Sequence, residues 1–359
     1  MLHKDHPDFW LYQDVYAAYY QARKNKRNTT NQLEFELNLE DNICQLAEDL
    51  KQRRYQLSRG IAFIVFDPTI REIFAATFRD RVVHHLVYNY IMPYWDKRFI
   101  YDSYSCRPGK GTHFGISRVA HFMRGASQNY TRPAWILKMD ISGYFMHINR
   151  SLMWDLNRVI FHDPHFKLDR HRQALLAYLL PIIIFADPTK DVCLRGWPRD
   201  WHFLPNEKSL VHAPINCGFP IGNLTSQLFS NIYLHELDKF IKFELKFRYY
   251  GRYVDDFVII DQDFTKLQRA RALISDFLYT HLFLRLHPRK VYLQPVTHGV
   301  NFIGARIRHD RIKPSQRVLR HYRQFIQETH LVSHDRLWWA RRQSYVGHIR
   351  KIATLQLPL

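Results

Sequence analysis

The sequence has little cysteine and no long apolar segment. None of its four cysteines forms a CxxC pair, so neither a zinc site nor a disulfide framework is indicated. They are Cys44, Cys106, Cys193 and Cys217. The N-terminus, MLHKDHPDFW, lacks the apolar region of a signal peptide, so a cytoplasmic location is expected. The longest apolar run, at 174–186, is too short to span a bilayer and predicts a core helix that ends near Pro181.

Acidic residues are scarce relative to basic ones. The chain has 52 Lys and Arg against 33 Asp and Glu, a formal charge of +19, with 46% hydrophobic and 15% aromatic residues. This composition predicts a compact fold with a polyanionic partner. Nucleic acid is favoured over a membrane because the basic residues are spread along the chain and interleaved with aromatic ones. Solubility alone is the alternative explanation for the charge.

The sequence also lacks a Walker phosphate-binding loop. The stretch YSCRPGKGTHFG at 104–115 combines three glycines with Arg107 and Lys110, which suits close backbone approach to phosphates. Because the GK[ST] order is missing, a plain flexible loop explains the stretch equally well.

What is present includes two adjacent acids inside an apolar, aromatic stretch, YYGRYVDDFVII at 249–260. The flanking residues are typical of strands, so Asp255 and Asp256 are expected where a hairpin turns. Acids are common in turns, and an isolated pair needs no further explanation. Yet adjacent carboxylates repel each other, and apolar neighbours add a desolvation cost that a divalent cation would relieve.

A second acid ends another apolar segment, WILKMDISGYF. Trp135 to Met139 has strand character and Asp140 closes it, although a strand ending in Asp is by itself unremarkable. A divalent cation needs oxygen ligands from more than one segment. Together, the two segments predict a metal site.

Three further regions complete the organisation of the chain. From 61 to 91, a strand-like IAFIVF passes through the turn DPT into a long helical pattern that carries Arg71, Arg79 and Arg81. Residues 186–213 are polar and rich in proline and tryptophan, and are interpreted as an insertion between core elements. Residues 311–359 combine ten Lys or Arg with two acids and several aromatic residues, which is typical of a nucleic-acid-binding helical subdomain.

The order of these segments resembles that of reverse transcriptases. IVFDPTIREIFAATFRDRVVHHLV and YSCRPGKGTHFGI are similar to the two fingers motifs. WILKMDISGYFMHI, GFPIGNLTSQLFSNIYLHELDKF, YVDDFV and LRLHPRKVYL are similar to palm motifs A to D, and VNFIGARI is similar to the primer grip. Most members read QGxxxSP in motif B, whereas this chain reads IGNLTSQ. Together with FRDRVVHH, WHFLPNEKSL and SYVGHIRK, that departure resembles the enzymes of diversity-generating retroelements.

The resemblance implies an α+β right-hand polymerase with fingers, a palm built from an antiparallel sheet plus helices, and a short helical thumb. The expected boundaries are 1–134 for the N-terminal region and fingers, 135–310 for the palm and 311–359 for the thumb. It also implies two Mg²⁺ ions, which Mn²⁺ could replace. Their expected ligands are Asp140, Asp255, Asp256 and the carbonyl of Ile141.

The resemblance further implies a set of nucleotide-binding residues. Arg71 and Lys110 are expected to contact the triphosphate, and Lys290 to protonate the leaving pyrophosphate. Phe145 matches the aromatic residue that rejects a 2′ hydroxyl, although core packing would also explain it. In motif B, Gly222 would let the backbone approach the templating base, Ile221 replaces the usual glutamine, and Gln227 ends the segment.

The expected function is RNA-directed DNA synthesis on a template-repeat RNA, with misincorporation opposite adenine. Expected partners are the template RNA and its RNA/DNA duplex, deoxynucleoside triphosphates and a small basic oligomeric accessory protein, with no membrane. One alternative is an antiviral, abortive-infection or retron-like reverse transcriptase without adenine mutagenesis. Another is an RNA-binding scaffold with the same fold, and an RNA-dependent RNA polymerase is disfavoured by YVDD and Phe145.

Overall fold

The computed structural model describes residues 6–24, 29–67, 69–329 and 336–355. Over these residues it confirms the α+β class, with helices and strands intermixed along the chain. The helices are α1 Phe9–Arg23, α2 Thr30–Leu37, α3 Leu39–Lys51, α4 Phe78–Asp96, α5 Thr112–Ala126, α6 Tyr144–His147, α7 Arg150–Arg158, α8 Arg170–Ile184, α9 Leu224–Lys239, α10 Phe264–Leu282, α11 Gln316–Thr329 and α12 Arg336–Ala353. The strands are β1 Gly60–Val65, β2 Arg71–Ala75, β3 Trp135–Asp140, β4 Val192–Leu194, β5 Tyr249–Tyr253, β6 Asp256–Asp261, β7 Tyr292–Pro295, β8 Val300–Phe302, β9 Ala305–Ile307 and β10 Ile312–Pro314.

The chain divides into two compact units, each built from two separate segments. The first unit comprises Met1–Phe99 and Gly143–Tyr233, and the second comprises Ile100–Ser142 and Leu234–Leu359. The boundary after Tyr233 falls inside α9. This division groups segments that are distant in sequence, whereas the three consecutive parts expected from sequence remain a prediction.

The first unit contains a small sheet in the order β2-β1-β4. β1 and β2 form an antiparallel hairpin, and β4 pairs in parallel with β1. The segment interpreted as an insertion, 186–213, therefore supplies an edge strand to this sheet. Arg71 begins strand β2, so the expectation that it lies in the helical pattern is wrong, whereas Arg79 and Arg81 do lie in a helix. That helix, α4, starts only at Phe78, where Thr77 caps it by accepting a hydrogen bond from Asp80 N.

The apolar run at 174–186 lies in α8, as expected, but the helix does not stop at its proline. It continues through Pro181 to Ile184. Because this proline lies in the last turn, only one hydrogen bond is lost there, and its own carbonyl still accepts from Phe185 N. Burial of leucine and isoleucine side chains stabilises the helix on both sides of the proline.

The second unit is built on a four-stranded antiparallel sheet in the order β5-β6-β3-β7. β-branched and aromatic residues dominate its two central strands, which are buried on both faces. One face of β3 and β6 packs through Ile136, Val258 and Ile260 into a core shared with α5 and the β8–β9 hairpin. α10 packs on β3 and β6 as well. Packing of this kind holds the two central strands rigidly and so fixes the positions of the residues at their ends.

The C-terminal part of the second unit forms a small sheet, β10-β9-β8, followed by two helices. α11 and α12 fall where the sequence predicted a helical subdomain, and α12 packs against β10. Residues 330–335 and 356–359 of that predicted subdomain lie outside the described residues. Among the described helices, none is long and apolar enough to cross a membrane.

Candidate active site

The acids singled out in the sequence lie together at one end of the β3–β6 pair. Antiparallel pairing places Asp140, the last residue of β3, directly opposite Asp256, the first residue of β6. Tyr253, the last residue of β5, pairs with Asp256, so Val254 and Asp255 form the two-residue turn that joins β5 to β6. The hairpin expected from YYGRYVDDFVII and the strand expected from WILKMD are both confirmed.

The carboxylates of the turn lie in an environment that disfavours their charge. Burial, together with the charges of Asp140 and Asp256, raises the pKa of Asp255 to about 7. Burial and the charge of Asp140 also raise the pKa of Asp256, to about 6, although Lys138 opposes this shift. Like charges removed from water are stabilised in their ionised form only when positive charge is supplied.

Two lysines supply part of that charge. Lys290, which was expected at the site, places Nζ 3.0 Å from Oδ1 of Asp140 and has a side chain that is 56% exposed. Lys138 places Nζ 2.8 Å from Oδ1 of Asp256 and is only 14% exposed. Its ammonium is close enough for an ion pair but is not aligned for a hydrogen bond to that buried oxygen.

Lys138 was not singled out from the sequence. The signal was nevertheless present, because side chains two residues apart in a strand lie on the same face. Lys138 stands two residues before Asp140 in WILKMD and thus shares its face. A lysine inside an otherwise apolar strand is itself a reason to look for an acidic partner.

Ile141 continues β3 into a short bridge with Leu286. The bridge is formed by the flanking groups: Ser142 N donates to the carbonyl of Arg285, and His287 N donates to the carbonyl of Asp140. The carbonyl of Ile141 accepts neither of these two hydrogen bonds. The side chain of Ile141 is a hydrocarbon, so this residue can offer a metal ligand only from its backbone carbonyl.

The donor chemistry at the strand ends suits a divalent cation such as Mg²⁺ or Mn²⁺. Hard cations bind carboxylate and carbonyl oxygens, and Asp140, Asp255, Asp256 and Ile141 supply both kinds. The buried, unbonded Oδ1 of Asp256 and the raised pKa values are what closely spaced acids show without enough positive charge. As the side chains stand, no three histidine, cysteine or acidic groups in the described part of the chain are arranged to hold a metal ion.

Several residues expected to bind nucleotide lie in the first unit. Phe145 and Ile221 pack against the same apolar cluster, which contains Phe74 of β2, and Phe74 N donates to the carbonyl of Ile221. Gly222 adopts φ +127°, and a Cβ there would lie 3.1 Å from the side chain of Ile73 and 3.2 Å from the carbonyl of Phe74. The glycine thus permits a close approach to β2. Its neighbour in the structure is β2.

The remaining members of this set are exposed or held by local contacts. Arg71, in the first unit, has an exposed side chain at the start of β2, and Gln227, in the same unit, is exposed on α9. Lys110 belongs to the second unit, where Nζ lies 3.9 Å from the ring centroid of Tyr101 and donates to the Tyr101 carbonyl. Lys110 therefore starts from a contact that a phosphate would have to replace.

Most of the chain matches the model of a known protein family. The model of the family described as "Reverse transcriptase (RNA-dependent DNA polymerase)" matches residues 67–307. This protein belongs to the reverse transcriptase family. The matched region contains β3, the β5–β6 hairpin and every residue expected at the site.

Solved structures show the same fold in other reverse transcriptases. Telomerase from Candida albicans, in complex with the TWJ fragment of telomeric RNA, matches with a TM-score of 0.50 and 12% identity, over 90% of this chain and 60% of that one. Telomerase from Candida tropicalis, also with a TWJ fragment, matches with a TM-score of 0.51 and 14% identity, over 83% and 53%. The mixed helices and sheets of this reverse transcriptase are therefore those of a right-hand polymerase fold, as expected from its sequence.

One curated relative is Protein YkfC of Escherichia coli (strain K12). It is 24% identical over 271 residues, which cover 66% of this chain and 63% of YkfC. The reverse transcriptase described here thus spans about three fifths of the length of the relatives it matches.

Proposed function

We propose that this protein is an RNA-directed DNA polymerase that extends a primer on an RNA template by nucleotidyl transfer from deoxynucleoside triphosphates. The observation that carries the proposal is the pairing of Asp140 with Asp256 across β3 and β6, with Asp255 beside them in the turn. Within a reverse transcriptase domain, three acids on adjoining strand ends provide carboxylate ligands for two-metal phosphoryl transfer.

In the proposed reaction, these carboxylates and the Ile141 carbonyl hold two Mg²⁺ ions. When bound, the ions supply Lewis-acid activation of the primer 3′ hydroxyl and stabilisation of pyrophosphate. The chain's own residues orient the substrates and supply the proton that the leaving pyrophosphate takes up. Lys290 is exposed beside Asp140 and can donate a proton to the leaving pyrophosphate. We propose that Arg71 and Lys110 contact phosphate oxygens and that Phe145 contacts the sugar.

A primer extension assay tests this function. Purified protein is given a primed RNA of defined length, Mg²⁺ and either deoxynucleotides or ribonucleotides. The proposal predicts products that end at the template terminus and form only with deoxynucleotides. Untemplated products of variable length would indicate a different use of the fold, and equal use of ribonucleotides would indicate an RNA polymerase.

The finer proposal is that the enzyme serves a diversity-generating retroelement, copying a template-repeat RNA with errors at adenines. It rests on motif B, where Ile221 takes the place of the usual glutamine. Ile221 is half-buried against the apolar cluster with Phe74, and it cannot offer the polar side chain that a glutamine would. A small basic oligomeric accessory protein is proposed as a partner on the same resemblance.

Ile221→Gln tests the role of this position in fidelity. We expect errors at template adenines to fall severalfold, because an amide can hydrogen-bond where an alkyl group cannot, while synthesis continues. The measurement is sequencing of cDNA from an RNA with all four bases. Ile221→Leu, which keeps an apolar side chain of the same size, is the control. An unchanged adenine error rate in the glutamine variant would contradict the proposal.

A further inference from the structure

The strand that leads into the acidic turn carries a completely buried arginine. Arg252 of β5 is 0% exposed and forms a two-pronged ion pair with Asp238 of α9, which is also 0% exposed. Nε lies 2.8 Å from Oδ1 and Nη2 lies 2.6 Å from Oδ2. Tyr250 OH donates a third hydrogen bond to Asp238, at 2.6 Å. An arginine without solvent contact must have every donor directed at a partner.

One of those donors is directed at the turn itself. Arg252 Nη1 donates to the carbonyl of Val254, at 3.0 Å, and Val254 is the residue directly before Asp255. Nη2 also donates to Ser103 Oγ, at 3.2 Å. The guanidinium thus connects a buried anion on α9 to the backbone of the acidic turn.

The residue held in this way has a strained backbone. Val254 adopts φ +55°, in the left-handed region, which is a genuine outlier for a β-branched residue. In the two-residue turn between β5 and β6, Val254 has a positive φ and Asp255 does not. That is the pattern of a type II′ turn, in which the first residue is normally glycine. Such a conformation persists only where its surroundings hold it.

The backbone of Arg252 is fixed on its other side. Its N–H donates to the carbonyl of Asp102, and its carbonyl accepts from Tyr104 N, each at 2.9 Å. With both its main chain and its guanidinium bonded, Arg252 has no freedom to follow a moving turn. The fixed guanidinium therefore sets the position of the Val254 carbonyl in the turn.

We propose that Arg252 is a positioning residue that holds Val254 in its left-handed conformation and thereby aims Asp255 and Asp256 at the metal site. This inference rests on the proposed polymerase function. Arg252 acts on the turn through the hydrogen bond that it donates to the carbonyl of Val254. Only arginine can do this, because the planar fork pairs with Asp238 while a separate N–H reaches the turn.

The test compares three variants of the full chain. Arg252→Lys keeps a positive charge beside Asp238 but loses the fork and hence the bond to Val254. Arg252→Lys combined with Val254→Gly allows the turn to adopt positive φ without the clamp. Tyr250→Phe removes one hydrogen bond from the same buried Asp238 and leaves the Val254 contact in place. Each is measured for Tm, kcat, KM for deoxynucleotide and the Mg²⁺ concentration that gives half-maximal extension.

For Arg252→Lys we expect kcat to fall about tenfold to a hundredfold and half-saturation by Mg²⁺ to rise, since small displacements of reacting groups have effects of this size. Adding Val254→Gly should recover part of kcat. Tyr250→Phe should lower Tm with kcat unchanged.

The inference is contradicted if Arg252→Lys retains the wild-type kcat and Mg²⁺ requirement, or if glycine at 254 recovers nothing. It is also contradicted if Arg252→Lys loses its cooperative unfolding transition, because the pair would then be needed for folding itself. Failure of the proposed function is distinct, since the wild-type protein would then not extend a primer in the same assay.

Discussion

The two lysines at the acidic site differ in burial, and this difference predicts different effects on stability. Lys138, at 14% exposure, pairs with Asp256, whereas Lys290, at 56% exposure, pairs with Asp140. Lys138→Met should lower the free energy of unfolding by about 1–3 kcal/mol in EDTA, because it leaves the buried Oδ1 of the half-buried Asp256 carboxylate unpaired. Lys290→Met, the matched control, should lower it by only about 0–1 kcal/mol, as exposed pairs do.

Denaturant unfolding in EDTA and in excess Mg²⁺ measures both effects. A bound Mg²⁺ ion supplies positive charge that Lys138→Met has removed, so it should stabilise this variant more than the wild-type protein. Excess Mg²⁺ should therefore reduce the loss in free energy of unfolding caused by Lys138→Met. Equal free energies of unfolding for the two lysine variants in EDTA would show that the Lys138 pair does not stabilise the site.

At the scale of single residues, the sequence predicts charges better than it predicts backbone strain. Asp140, Asp255 and Asp256 were found because acids within apolar strands are unusual, and their place at adjoining strand ends follows from alternation and pairing. The left-handed Val254 and its bond to Arg252 were not found. No local pattern shows that a valine will occupy a position normally taken by glycine, since that depends on an anion supplied by α9.

Helix α4 carries two adjacent histidines that predict acid sensitivity in the first unit. His84 is 5% exposed, with Nδ1 2.8 Å from Thr225 Oγ1, and burial lowers its pKa from 6.5 to about 4. Burial and the charge of Arg81 lower the pKa of His85 to about 4 as well. Between pH 6.5 and 4, the unfolded chain binds protons at these positions and the folded chain does not.

Stability should therefore be lost as pH falls from about 6.5 to about 4, by up to about 1.4 kcal/mol per pH unit for each histidine. His84→Gln should reduce that slope, whatever its effect on stability at pH 8. His165→Gln, at an exposed position of the same unit, should leave it unchanged. The measurement is the free energy of unfolding at several pH values, and an identical slope in His84→Gln would contradict the account.

At the scale of elements, segments with a clear composition of their own were predicted, and β2 was not. α11 and α12 fall in the segment whose composition predicts a helical subdomain, and β3 and the β5–β6 hairpin follow from their strand composition. β2 was missed because five residues, REIFA, resemble the start of the helix that follows them. Its strand identity comes from pairing with β1, a contact that periodicity does not record. Similarly, the end of α8 is decided by the burial of Ile183 and Ile184 and not by Pro181.

For the whole molecule, the net charge of +19 predicts strongly salt-dependent binding to RNA. Log K should fall linearly with log salt, with a slope of about −0.7 for each phosphate neutralised on a single strand. Arg317 and Arg320 are exposed on α11, so replacing both with alanine should reduce the magnitude of the slope by about 1.4, through the loss of two phosphate contacts.

Fluorescence anisotropy with a labelled RNA across a salt series measures the slope. Arg158→Ala is the control, because Arg158 is already paired with Asp155 at 2.8 Å on α7. A slope near zero for the wild-type protein would contradict a phosphate-binding role for the excess charge.

The organisation of the whole chain was the least accessible from sequence. Motif order identified the family, yet the two compact units each join distant segments. The interpretation of 186–213 as an insertion remains a prediction, but the structure shows that the stretch packs around Glu72 of β2. Glu72 is buried and accepts hydrogen bonds from Trp201 Nε1 and Leu210 N. A polar segment can be integral to a unit when a single buried carboxylate organises it, and composition does not reveal such an anchor.

The central claim is that Asp140, Asp255 and Asp256 act together in Mg²⁺-dependent DNA synthesis. The most direct measurement is the rate of primer extension on RNA by wild-type protein and by Asp255→Asn, with Tm recorded in EDTA. The asparagine removes a buried like charge, so Tm should be unchanged or higher while the rate falls by more than about a hundredfold. A folded Asp255→Asn variant that extends the primer at the wild-type rate would contradict the account.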